Sequence, residues 1–115
     1  MNYSAVEITG FNFHDFVLES RLPFLVLFST NWNVHEEGQP CRAIAEYLQS
    51  LSDQWKGRLF WGIADITLIS PVILSQYNIR SIPTIVLFQD GKVELRAKGL
   101  LNKAEFAQML SPYLK

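Results

Sequence analysis

The residues best placed to do chemistry lie between Trp32 and Arg42, in the stretch WNVHEEGQPCR. It holds the chain's single cysteine, Cys41, directly after Pro40. A proline suits the first helical positions, where its missing N–H would have no partner. The pair therefore reads as the opening of a helix, with the thiol in its first turn. Disulfide exchange needs a thiolate that attacks and a second thiol that releases the mixed disulfide. With one cysteine, any such adduct waits for an outside thiol such as glutathione. Two arguments favour a reactive thiolate: the positive end of the helix dipole and the adjacent Arg42. Two oppose it. Cys41 falls on an apolar stripe, so its sulfur should face inward, and Glu36 and Glu37 would disfavour a second negative charge nearby.

That stripe contains Cys41, Ile44, Ala45, Leu48, Leu51 and Trp55, with Arg42, Glu46, Gln49 and Asp53 on the wet side. Upstream, AVEIT alternates as a half-buried strand does. Asn12 is placed to cap a helix carrying Phe13, Phe16 and Val17 on one face. PFLVLFST is a continuous apolar run that suits a strand covered on both sides. Downstream, RLFWGIAD reads as a strand, with Trp61, like Trp55, in the core or on a hairpin face. Ser70 and Pro71 cap and open a short helix through Tyr77. TIVLF and KVELRA flank Asp90-Gly91, a strong hairpin signal. Asn102 and Glu105 have capping-box spacing before Phe106, Met109, Leu110 and Tyr113, and Pro112 ends or distorts that helix. The order is β-α-β-α-β-α-β-β-α. Strands alternating with helices require crossovers, so the expected architecture is an α/β sandwich with a mixed central sheet.

The composition sets bounds. At 115 residues, 49% of them hydrophobic, the chain can bury one core but not two. A net charge of −1 and a pI near 6.1 give no electrostatic footprint for nucleic acid. No basic run suggests a membrane surface, and the longest apolar run is too short to span one. The first ten residues do not have the pattern of a secretory signal, and one cysteine fits a reducing compartment. The expectation is a cytoplasmic monomer.

Taken together, the element order and several sequence words resemble thioredoxin across nearly the whole chain. YNIRSIPTIVLFQDGKV resembles the stretch holding that family's cis-proline and hairpin. The resemblance implies that Pro83 is that proline and that Gly99 is the glycine near the end of the last strand. PFLVLFSTNW is similar to the central strand, with Trp32 before the motif and Pro40-Cys41 as the last two residues of CGPC. Three departures touch the same chemistry. Asn33 falls at or near the attacking cysteine, with a loop several residues longer than the family's before Pro40. Leu27 stands where the family buries an aspartate, and its accompanying lysine has no clear counterpart in Trp61-Gly62-Ile63-Ala64. The resemblance implies a retained groove in which Ser81 and Ile82 pair with an extended segment of a partner. Trp32 would form one wall of that groove or simply fold over the loop. Two functions compete: a module binding a protein or peptide, whose Glu36 and Glu37 would suit a basic partner, or single-thiol redox work by Cys41 with glutathione or a client. Neither calls for a cofactor. His35, Glu36, Glu37 and Cys41 match no common metal spacing, and His14 reads as an ordinary surface residue.

Overall fold

In the computed structural model, which describes residues 4–34, 36–99 and 102–113, one five-stranded sheet organises the chain. The strands are β1 (Val6–Ile8), β2 (Phe24–Ser29), β3 (Phe60–Asp65), β4 (Thr84–Gln89) and β5 (Lys92–Lys98). Their order is β1-β3-β2-β4-β5. β3 runs parallel to both β1 and β2, whereas β4 is antiparallel to β2 and to β5. The helices are α1 (Gln39–Leu51), α2 (Pro71–Gln76) and α3 (Lys103–Leu110), preceded by a π-helical turn at Phe13–Leu18.

Side chains alternate across a strand, so the apolar run of β2 feeds two cores at once. Leu25 and Leu27, with Ile85 and Leu87 of β4, pack against Ile44, Ala45 and Leu48 of α1 and Phe106 and Leu110 of α3. Phe24, Val26 and Phe28, with Val86 and Phe88, pack against Phe13 and Val17 of the π-helical turn and partly buried Ile73 and Leu74 of α2. α1 and α3 therefore cover one face, and α2 and the π-helical turn the other. Among the described residues, no helix is long and apolar enough to cross a membrane.

Local signals act where they were expected. Ser70 Oγ accepts from Val72 N at 3.1 Å at the start of α2. Asn102 and Glu105 form both halves of a capping box. Asp90 (φ 54°) and Gly91 (φ 77°) make the two-residue turn whose twist suits a hairpin. Trp55 and Trp61 are both buried, although Trp55 lies in a 3-10 turn, Ser52–Trp55, beyond the end of α1.

The first helical segment departs from expectation. Asn12 does not cap it: Oδ1 accepts from Thr9 N at 2.8 Å and Nδ2 donates to Glu7 O at 2.8 Å. The side chain thus holds the chain leaving β1. The segment winds with i→i+5 bonds, among them Glu19 N to His14 O at 3.1 Å. This wider winding keeps Phe13 and Val17 inward and carries Phe16 out to 50% exposure.

Candidate functional site

The carboxyl end of β2 brings the two halves of the site together. Phe28 pairs with Thr84, so the residues just after β2 run beside those just before β4. On one side stands Cys41 in the first turn of α1, wholly buried. Burial pushes its thiol above the ordinary value of 9.0, and hydrogen bonds from the backbone at Thr30 and at Cys41 itself only partly oppose this. The thiol is therefore held protonated at neutral pH. Arg42 does not serve it. Its Nε lies 3.3 Å from Glu46 Oε1, on the exposed side of α1.

The loop before α1 is fastened to the tryptophan at its start. Gln39 Nε2 donates to Trp32 O at 2.7 Å, while Asn33 N donates to Asn31 Oδ1 at 2.9 Å. Gly38 is buried under the same residue: a Cβ there would lie 2.8 Å from Trp32 Cα and 3.1 Å from Thr30 Cγ2. No side chain fits that space. Pro40 is half-buried as the second residue of α1, and Asn33 is exposed. Trp32 is half-buried and packs against the α1 core. His35 lies outside the described residues. Among those described, ligand types converge only at His14, Asp15 and Glu19, all exposed, with His14 Nδ1 3.2 Å from Asp15 Oδ1 and 3.7 Å from Glu19 Oε1.

On the other side, Pro83 is buried and the Ile82–Pro83 peptide is cis. Thr84 Oγ1 donates to Ser81 O at 2.6 Å, and Gly99 N donates to Pro83 O at 3.1 Å. Gly99 adopts φ +76° with open space around its missing Cβ. Arg96 of β5 braces this side from behind, donating to the carbonyls of Tyr77 and Asn78. Edge-on contacts join Phe88 to Phe13 at 5.7 Å and to Tyr77 at 5.2 Å, tying β4 to the opposite core. Ser81 is exposed and Ile82 half-buried. Among the described residues, no backbone hydrogen bond engages Ile82.

The fold, the buried thiol and the proline beside it coincide with a match to the Thioredoxin family model over residues 4–112. The chain belongs to the thioredoxin family. It is 33% identical over 114 residues to a thioredoxin of Acidithiobacillus ferridurans, covering 99% of this chain and 100% of that one. Over 110 residues it is 32% identical to thioredoxin C-2 of Corynebacterium nephridii, covering 96% of both chains. A chloroplastic M-type thioredoxin of Chlamydomonas reinhardtii is 37% identical over 102 residues, 89% of this chain and 69% of its own length.

Within this thioredoxin fold, Leu27 is wholly buried, paired with Ile63 of β3 and Ile85 of β4. Neither of its cross-strand neighbours is titratable, and the first acid in that row is Glu7 of β1, beyond Ile63. The structure brings Cys41, Pro83 and Gly99 to one end of the sheet. It also places Trp32 and Asn33 on a cavity of about 430 Å³ whose lining includes neither Cys41 nor Pro83. Sequence reasoning missed that cavity and the role of Gly38. The cavity depends on strand register, and the glycine's role on a contact between the two ends of one loop.

Proposed function

We propose that this thioredoxin-family chain is a binding module without a dithiol site, holding an extended segment of a protein partner beside Pro83. One observation carries the reading: the chain's only thiol is wholly buried, while the backbone one residue before Pro83 has no backbone partner among the described residues. Strand addition draws its affinity from such main-chain groups, which need no thiol. Asn33 falls at or near the place of the attacking cysteine, and with a single cysteine in the chain a dithiol reductase cycle has no second thiol. Insulin reduction by the purified protein should stay at background.

The test is recovery of partners from cell extract by the wild type and by Pro83→Ala, with a photoreactive residue at position 81 to mark contact. Recovery should fall at least about tenfold, a loss of ~1.4 kcal/mol. Equal recovery by both, with no cross-link from position 81, would place binding elsewhere. The competing function is a mixed disulfide of Cys41 with glutathione or a client. The backbone hydrogen bonds at the sulfur favour it by assisting the thiolate, but burial outweighs them. We assign the module to the cytoplasm, as a monomer, on its lone reduced thiol.

A further inference from the structure

The cavity behind Trp32 has a composition that the groove reading does not use. It opens at the carboxyl ends of β1, β3 and β2. The chain leaves β1 toward the π-helical turn and leaves β2 toward α1, on opposite faces of the sheet. A crevice between such diverging connections is where open α/β sheets bind ligands. Its volume lies within the range of working ligand sites.

The register explains its walls. Glu7 pairs with Ile63, and Asp65 pairs with Ser29 two residues further along β3. Ile63 belongs with the α1 core, so alternation puts Glu7, Asp65 and Ser29 on that same face. Elsewhere this face is apolar: β2 and β4 present Leu25, Leu27, Ile85 and Leu87. Glu7 alone would be an ordinary edge-strand charge. Asp65 alone would be the cap of the 3-10 turn Ile66–Leu68, since Thr67 N and Oγ1 donate to its Oδ1 at 2.9 and 2.7 Å. Both bonds fall on one oxygen, leaving Oδ2 out of the cap. Side by side, the two acids share the cavity's lining with Trp32, and no Lys or Arg is among the lining residues. Ser29 adds a further acceptor. It is 1% exposed, it lines the cavity, and its hydroxyl makes no hydrogen bond among the described residues.

Two carboxylates and an unused hydroxyl, with Trp32 in the same wall, form a receptor for a planar cation. The rim indicates what carries it. Leu68, on the wall, is 54% exposed, and Val34, next to Asn33, is 70% exposed. Gly10 N donates to Leu68 O at 3.2 Å, which brings the backbone of fully exposed Phe11 near Leu68. A small free cation would leave these apolar residues in water, whereas a basic residue flanked by apolar ones would cover them. We propose that this cavity docks an arginine side chain of a protein partner whose neighbouring residues are apolar. The site is separate from the Pro83 groove and stands whether or not that groove is occupied.

The test is titration of the full-length ¹⁵N-labelled protein with Ac-Leu-Arg-Leu-NH₂ and with the same peptide carrying citrulline, which keeps the shape and removes the charge. The arginine peptide should shift Glu7, Ile63, Asp65 and the Trp32 indole, and bind at least about tenfold more tightly than the citrulline peptide. Glu7→Gln with Asp65→Asn should abolish that difference. Equal affinity of the two peptides for the wild type would overturn the proposal without recourse to any variant. So would discrimination that survives in the double variant, or shifts confined to Ser81–Pro83. N-acetylarginine amide binding as tightly as the peptide would assign the cavity to a small cation instead, against the proposal.

Discussion

The two sides of the site at the end of β2 are built on different principles. The thiol side is closed by contact: Gly38 is pressed against Trp32, Gln39 is bonded to Trp32 O, and the sulfur has no exposure. The proline side is held from behind by Arg96 and Gly99, and at its front Ser81 is exposed and Ile82 half-buried. Reaction needs an accessible sulfur, whereas strand addition needs only accessible backbone. A thioredoxin fold can therefore retain one while enclosing the other. The difference predicts that substitutions on the closed side cost stability and substitutions on the open front cost little.

The sharpest way to break the comparison is to put a carboxylate into the buried centre of β2. Leu27→Asp would place a charge among Leu25, Ile63 and Ile85 with no cation beside it. We expect a loss of about 4 kcal/mol or more, read by urea unfolding. A loss under 1 kcal/mol would mean that the closed side can still accept the family's acid. Next, Gly38→Val should cost about 1–3 kcal/mol, because the added carbons meet backbone as well as side chain. A smaller effect is expected at Gly99, where no atom stands in the way and the penalty is conformational. Gly99→Ala should cost about 1 kcal/mol in the same assay.

Titration sharpens the contrast further. Burial raises the pKa of Cys41 in the folded state. Below the unfolded value near 9.0 both states keep the proton, and stability does not depend on the group. Above it, the unfolded chain ionises first and the native state loses ground, by up to ~1.4 kcal/mol per pH unit. Unfolding free energies measured from pH 8 to 10 should fall more steeply for the wild type than for Cys41→Ala. Parallel curves would show the thiol ionising freely. The smallest effect belongs to the open front, where Ser81→Asp should change stability by no more than ~0.5 kcal/mol.

Much of the fold was legible because its signals are local. The Asp90-Gly91 turn, the Ser70 cap, the Asn102–Glu105 box and the stripe from Cys41 to Leu51 each depend on a few neighbouring residues. The first helix was misread for the opposite reason. Asn12 looks like a cap in sequence, but Thr9 N and Glu7 O claim its side chain, and the π winding then turns Phe16 outward. In the site, the burial of Cys41 followed from its place on the stripe. Gly38 carries no pattern that announces a contact with Trp32 six residues earlier. Nor could Glu7, Ser29 and Asp65 be grouped before the register of three strands was known.

The central claim concerns the sulfur, and its alkylation rate in the native protein measures that most directly. Iodoacetamide labelling at pH 8, with and without urea, should show Cys41 protected at least about 100-fold in the folded state, as a thiol reached only through local opening would be. A native rate close to that of the unfolded chain would show an accessible, reactive thiol and contradict the account.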